Sequence, residues 1–341
     1  MLQNYALMFQ TVVNCVLSET GRQLRSVLTK MTGANTVQTT LRKDVTFNGI
    51  GLHTGMPVKL IVRPASASTG IIFRRMDLTG YPELKATWDN VVVSPLNTRL
   101  TNAEGVTVST IEHLMAALAG CGVHNALVEL DGPEVPILDG SAAGFVRGLV
   151  NAGLTRLSAP LQAIEVLKEV RVVDGQAVAT LSPAMTLQID FSIDFADAAI
   201  GRQHKVMNLA NGSFVRELCD SRTFCRSSDV DAMRANGLAL GGTMENAVVV
   251  DGDKVLSPGG LRHADEAVRH KMLDALGDLY TAGAPILGRY TGSRSGHAMT
   301  NKLLCALFAD PSAWRWVNCD AKIAARLPGV GVSLADLHAV A

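Results

Sequence analysis

A weak internal repeat is the feature of this sequence that most constrains its fold. Residues 58–65 (VKLIVRPA) and 178–184 (VATLSPA) both read as a strand stopped by Pro-Ala, and each precedes an alternating segment that ends in Phe. Further on, His113 and His270 are each followed by Met two residues later and by Gly seven residues later. Self-similarity of this kind is typical of a duplicated unit. It predicts two copies of one α+β unit, each with strands first and a pair of helices after them.

The repeat also predicts the domain organisation. We expect an α+β fold made of two similar layered domains, residues 36–158 and 162–330, whose junction is a natural site for a ligand. Relative to the first half, the second carries an insert around residues 224–250. Residues 1–35 form an N-terminal extension to which we assign no function. A length of 341 residues is in keeping with two domains.

Composition excludes several classes of partner. Lys plus Arg and Asp plus Glu each number 31, so there is no overall field to attract nucleic acid or an anionic membrane. An anionic substrate would therefore need a local basic pocket. The sequence contains no run of 18 apolar residues, so it predicts no membrane-spanning helix. The six cysteines form no C-x-x-C pair, which favours a reducing, cytoplasmic compartment.

Polar residues recur every fourth position along a predicted helix over residues 268–279. His270, Asp274 and Asp278 form this stripe, while Met272 and its apolar neighbours form another face. Four residues at 3.6 per turn leave a lag of only about 40°, so the three side chains project the same way. A His and a carboxylate one turn apart can reach one metal ion, as in the two-His helix of zinc proteases. A solvated helix face with no function is the competing interpretation.

A second helix is predicted over residues 109–120. Ser109 suits an N-cap and Glu112 the matching capping-box position, which would give Glu112 a structural role. If the two halves are equivalent, His113 and His270 begin matching helices and could meet. With Asp274 they would make a site of two His and one carboxylate, which is common for catalytic zinc and also suits Fe(II).

Neighbouring polar residues suggest catalytic roles around such a site. Glu112 could serve as a general base. His297 could donate a hydrogen bond or a proton, and Asp278 could orient it. Lys271 and Arg294 are candidate contacts for phosphate. A non-enzymatic protein remains the alternative at this point, and it would bind no metal.

Several motifs resemble one enzyme family, the UDP-3-O-acyl-N-acetylglucosamine deacetylases, which are zinc amidases of lipid A synthesis in Gram-negative bacteria. The resemblance runs from about Gln38 to Trp316 and rests on these segments: STIEHLMAAL (109–118), PEVPILDGSA (133–142), SRTF (221–224), RHKMLDALGDL (269–279) and SGH (295–297). It implies hydrolysis of the acetamide of UDP-3-O-(3-hydroxyacyl)-N-acetylglucosamine to acetate and the free amine. A metal amidohydrolase acting on another N-acyl sugar is the alternative.

The resemblance implies that the fold consists of two similar two-layer α/β sandwich domains with the active site at their junction, and it also assigns residues. Zinc falls on His113, His270 and Asp274, the general base on Glu112 and an oxyanion contact on Thr223. The other matching positions are Lys271, Asp278 and His297 in the catalytic site, Val230, Ala239, Met244 and Val249 in an acyl-chain passage, and Asp194, Phe195 and Lys271 in a nucleotide pocket.

The chain departs from the family at T-F-C-R (223–226), which puts Arg226 where the family often has an aromatic ring. The implied partner is a lipid-linked nucleotide sugar. We expect a cytoplasmic monomer with no membrane insertion, which the amphiphilic substrate would bring to the inner membrane surface.

Overall fold

A computed structural model describes residues 35–339 of the chain. Apart from Asn35, the extension predicted over residues 1–35 lies outside that part. The strands are β1 Val37–Leu41, β2 Val45–Ile50, β3 Pro57–Pro64, β4 Ile71–Arg75, β5 Glu83–Lys85, β6 Val91–Val92, β7 Arg99–Thr101, β8 Thr107–Val108, β9 Ala126–Leu130, β10 Leu154–Pro160, β11 Gln162–Val166, β12 Val170–Asp174, β13 Ala177–Ser182, β14 Leu187–Asp194, β15 Arg202–Asn208, β16 Phe224–Arg226, β17 Val248–Asp251, β18 Lys254–Val255, β19 Ile286–Ser293 and β20 Trp314–Asn318. The α-helices are α1 Glu112–Cys121, α2 Ala143–Ala152, α3 Ser213–Glu217, α4 Ser227–Ala235, α5 Glu266–Tyr280, α6 His297–Ala309 and α7 Ala321–Ala324. None of the described helices has the length and apolar character needed to cross a bilayer.

The first half is built on a five-stranded sheet in the order β2-β3-β9-β4-β5. Neighbouring strands are antiparallel except for β4 and β9, which are parallel. Along β3, Val58, Leu60 and Val62 are buried while the residues between them are more exposed, as expected for a sheet with one covered face. Helix α2 covers that face, where Phe145 packs edge-on against Phe47 at 5.0 Å between ring centroids.

The second half repeats this arrangement of strands. Its order β12-β13-β19-β14-β15 has the same directions, with β14 and β19 parallel and the other neighbours antiparallel. Helix α5 precedes β19 as α1 precedes β9, and α6 follows β19 as α2 follows β9. Two copies of one unit would look like this. The α+β class predicted from sequence is confirmed, while the exact domain limits stay predictions.

The insert of the second half forms a small layer of its own. Strands β16, β17 and β18 make a three-stranded sheet, and α4 connects β16 to the segment before β17. Within this layer Val248 to Val250 are buried and α4 has no fully buried residue. The insert therefore buries most of β17, whereas every residue of α4 keeps some exposure to solvent.

Helices α1 and α5 pack directly against each other where the two halves meet. A Cβ atom at Gly277 would run into the carbonyl oxygen of Glu112 and would lie 3.1 Å from the amide nitrogen of Ala116. Only glycine allows the two helix backbones to approach this closely. The group that approaches the backbone at Gly277 is thus helix α1 of the other half.

The chain turns after Leu41, so that β1 pairs with β10 while β2 pairs with β3. One local prediction is wrong. Ser109 is not an N-cap: α1 begins at Glu112, after Thr110 has taken a left-handed conformation with φ of 58°. The hydroxyl of Thr110 donates to the buried carboxylate of Glu134 at 2.8 Å, which supports this strained start. The carboxylate of Glu112 is therefore free for other partners.

Candidate active site

Helices α1 and α5 bring His113, His270 and Asp274 together, as the sequence predicted. One potential ligand atom from each of the three lies within 4.8 Å of the others. Oδ1 of Asp274 lies 3.2 Å from Nε2 of His270 and 3.5 Å from Nε2 of His113. All three side chains are at most 5% exposed. The polar stripe of α5 is thus not a solvated helix face.

The second ring nitrogen of His270 is already engaged. Its Nδ1 lies 3.0 Å from the carbonyl oxygen of Ser221, to which it donates a hydrogen bond. This bond fixes the tautomer that leaves a lone pair on Nε2, the atom facing Asp274. Burial lowers the pKa of His270 to about 4, so the ring is neutral and able to bind a metal.

The charge state of Asp274 also suits a ligand. Burial alone would raise its pKa, but neighbouring groups, among them the ammonium of Lys271, outweigh that effect and hold the pKa well below its usual range. Nζ of Lys271 lies 2.7 Å from Oδ2 of Asp274, which leaves Oδ1 facing the histidines. Oδ1 is buried without a hydrogen-bond partner among the described residues. Such an orphaned oxygen between two imidazoles fits a cation of the type held by two His and one carboxylate.

A second set of polar side chains adjoins this group. Nδ1 of His297, the first residue of α6, lies 2.9 Å from Oδ2 of Asp278, and Nε2 of the same ring lies 3.9 Å from Oε1 of Glu112. Nε2 is also 3.9 Å from Oδ2 of Asp274. The predicted pairing of Asp278 with His297 is therefore present, and both side chains lie beside the group formed by His113, His270 and Asp274.

The local electrostatics raise the pKa values of both Glu112 and His297. Burial disfavours the imidazolium of His297, but the carboxylates of Asp278 and Glu112 overcome this and raise its pKa to about 9. Burial also raises the pKa of Glu112, an effect that His297 and His113 partly offset. A protonated His beside a buried carboxylate is the charge pattern of an acid and a base that work as a pair.

A cavity of about 810 Å³ opens onto this site. His270, Lys271, Asp274 and His297 line its catalytic end, together with Thr223. The backbone of Thr223 is fixed by hydrogen bonds of its amide to the carbonyl of Gly140 and of its carbonyl to the amide of Val248, both 2.8 Å. Most of the remaining wall comes from the insert, and smaller parts come from residues 52–53, from residues 94–96 before β7, from Phe195 and from residues 295–299.

Most residues predicted for substrate binding line this cavity. They are Phe195, Val230, Ala239, Met244, Val249 and Lys271. Asp194 is not among the lining residues, because its carboxylate lies on the surface in an ion pair with Arg294, 2.6 Å apart. The guanidinium of Arg294, which the sequence suggested for phosphate, thus bonds to Asp194 and to the side-chain oxygen of Gln176. Asp194 and Arg294 thus lie outside the lining of this cavity, and their contact with a nucleotide stays a prediction.

The structure adds residues that sequence reasoning missed. Thr98 bonds to both Glu112 and Asp278 from a loop of the first half. A buried ion pair between Arg222 and Glu266, 2.9 Å apart, fixes the residue before Thr223. No sequence signal pointed to Thr98, since it lies in an unpatterned loop. Arg222 lies within the SRTF motif (221–224), but its partner Glu266 lies 44 residues away.

Comparison with known proteins identifies what the chain resembles. A family model described as UDP-3-O-acyl N-acetylglycosamine deacetylase matches residues 38–309. A curated protein of Phenylobacterium zucineum called UDP-3-O-acyl-N-acetylglucosamine deacetylase is 50% identical over 82% of this chain and 95% of its own length. Proteins with the same name from Shewanella oneidensis and another Shewanella strain are 46% and 47% identical, over 86% and 82% of this chain and 97% and 92% of their own lengths.

Proposed function

The chain belongs to the UDP-3-O-acyl N-acetylglycosamine deacetylase family, and from that premise we propose how its residues carry out the reaction. It is a deacetylase that hydrolyses the acetamide of UDP-3-O-(3-hydroxyacyl)-N-acetylglucosamine, a step of lipid A synthesis. The products are acetate and the amine of the UDP-3-O-acyl sugar. The observation that carries this proposal is the convergence of two His and one Asp from both halves beside a paired Glu112 and His297.

We assign the metal to His113, His270 and Asp274, and zinc is the ion we propose, with Fe(II) as the alternative. The donor set of two imidazoles and one carboxylate suits either ion. When bound there, such a cation would polarise the acetamide carbonyl and lower the pKa of a water molecule. Ser221 and Lys271 support this arrangement by orienting His270 and Asp274.

Proton transfers fall to Glu112 and His297. Oε1 of Glu112 would take the proton from the attacking water, a task that its raised pKa favours. Protonated His297, held by Asp278, would stabilise the developing oxyanion from Nε2 and then protonate the departing amine nitrogen. The hydroxyl of Thr223, at the cavity wall, would be a further donor to the oxyanion.

The cavity suggests where the remainder of the substrate lies. Val230 and Met233 of α4, with Ala239, Met244 and Val249, give its insert side an apolar wall suited to a fatty chain. Lys271 and Phe195 would serve the nucleotide diphosphate. Arg226 also lines the cavity, although its guanidinium is paired with both oxygens of Asp229 at 2.8 Å. We further propose a cytoplasmic monomer that meets its substrate at the inner membrane surface.

Acetate release from matched substrates tests this function. We expect turnover of UDP-3-O-acyl-N-acetylglucosamine with one acetate per free amine, and a kcat/KM lower by about 100-fold or more for UDP-N-acetylglucosamine, because each buried CH₂ of the missing chain contributes about 0.8 kcal/mol. The control is the same pair of substrates with Glu112→Gln, which should turn over neither at an appreciable rate. Equal kcat/KM for the two substrates would instead favour an amidohydrolase of other N-acyl sugars.

A further inference from the structure

Thr98 bonds to Glu112, the proposed base, and to Asp278, the carboxylate that pairs with His297. It lies just before β7, in the first half, and is 3% exposed. Its backbone amide donates to Oε2 of Glu112 at 3.0 Å, and its hydroxyl donates to Oδ1 of Asp278 at 2.5 Å. A carboxylate can only accept, so the direction of both bonds is settled by the chemistry of the groups.

These bonds complete a closed ring of four residues. Thr98 links Glu112 to Asp278, Asp278 reaches Nδ1 of His297 at 2.9 Å, and Nε2 of His297 returns to Glu112 at 3.9 Å. In Glu112, Oε2 bonds to Thr98 while Oε1 faces His297. In Asp278, Oδ1 accepts from Thr98 and lies 3.2 Å from Nδ1 of His297, whereas Oδ2 lies 2.9 Å from that nitrogen. Thr98 therefore contacts both of the carboxylates that surround His297.

The ring also joins the two halves of the molecule. Thr98 and Glu112 belong to the first half, whereas Asp278 lies on α5 and His297 on α6 in the second. Hydrogen bonds to ionised groups are stronger than neutral ones and are directional. A small shift of α5 relative to the first half would therefore change the hydrogen bond between the hydroxyl of Thr98 and Asp278.

We propose that Thr98 is a positioning residue that sets the orientation of Glu112 and, through Asp278, of His297. This inference rests on the proposed function, since it needs Glu112 and His297 to carry the proton transfers. Thr98 does not itself line the cavity. Its effect should therefore fall on the chemical step, with little change in the binding of substrate.

Thr98→Val tests the hydroxyl while keeping the amide bond to Glu112 and the shape of the side chain. We expect kcat to fall by about 10- to 100-fold, the range seen when a group that orients a catalytic ligand is removed. KM should change little, because no ground-state contact with substrate is lost. Thr98→Ser restores the hydroxyl and should recover most of kcat.

A double-mutant cycle separates positioning from simple structural support. If Thr98 acts through Asp278, then Thr98→Val combined with Asp278→Asn should be hardly slower than Asp278→Asn alone. The control is Thr40→Val, which removes another buried hydroxyl, bonded to the carbonyl of Asn125 and the amide of Ala65 at 2.8 Å each. It should lower the melting temperature and leave kcat unchanged.

Three results would overturn the inference. Normal kcat in Thr98→Val, beside an inactive Glu112→Gln in the same assay, would leave the proposed function intact and make Thr98 purely structural. A slow Thr98→Ser with the same low kcat as Thr98→Val would show that the hydroxyl is not the responsible group. Full activity of Glu112→Gln would remove the proposed function and this inference with it.

Discussion

Replacing Glu112 by glutamine is expected to reduce kcat by about 10²- to 10⁴-fold, the usual contribution of a general base. The amide keeps an oxygen that can accept the hydrogen bond from Thr98, so the local geometry should survive. It cannot take a proton from water at neutral pH. The variant should bind metal as before, because the metal group consists of other residues. Steady-state rates of acetate release, with metal content measured on the same samples, check this prediction.

Glu129 provides a matched control for this substitution. Its carboxylate is also buried, and it bonds to Arg63 at 2.6 Å and to Arg74 at 3.2 Å in the sheet of the first half. Glu129→Gln should lower the melting temperature with kcat unchanged. If instead Glu112→Gln kept normal kcat, Glu112 could not be the general base.

The second large effect is expected from His297→Gln. The substitution removes the proton that Asp278 and Glu112 hold on the ring, and we expect a fall in kcat of about 10²- to 10⁴-fold for the lost proton transfer. KM should rise less than kcat falls, because the proton is needed mainly as the amide breaks. His263→Gln is the control, since His263 also pairs with a carboxylate, Asp220, at 2.9 Å but outside the cavity.

The same pair predicts the shape of the pH profile. Activity should rise with pH as Glu112 loses its proton and becomes a base, and fall again as His297 loses its own. The pKa of His297 is raised to about 9 without a metal, and a bound cation nearby would lower it, so the alkaline limb should lie at or below that value. His297→Gln should abolish the alkaline limb in kcat. A limb unchanged in this variant would assign it to another group.

The helices were predictable because their patterns are local. The four-residue spacing of His270, Asp274 and Asp278 fixes their common face whatever packs against it. The matching offsets around His113 then indicated which helix would oppose them. The repeat did not predict how deeply these side chains are buried. Their burial arises because Gly277 lets α1 approach α5 closely.

Predictions failed where a distant partner replaced a local one. The capping-box pattern at Ser109 and Glu112 is common, but Glu134 and the left-handed Thr110 redirect the chain, and Glu112 bonds to Thr98 instead. Asp194 likewise has a distant partner, since Arg294, the residue after β19, holds its carboxylate at the surface, while its contact with a nucleotide stays a prediction. Both outcomes depend on contacts between residues far apart in sequence, which no local spacing records.

The metal content of the purified protein, with deacetylase activity followed through chelation and zinc re-addition, tests the central claim most directly. The account predicts about one metal ion per chain at a site of two His and one Asp, with activity lost on chelation and restored in proportion to the ion returned. Re-addition of Fe(II) under anaerobic conditions would show whether that ion also serves. A protein that bound no metal, or kept its activity after chelation, would contradict the assignment of His113, His270 and Asp274.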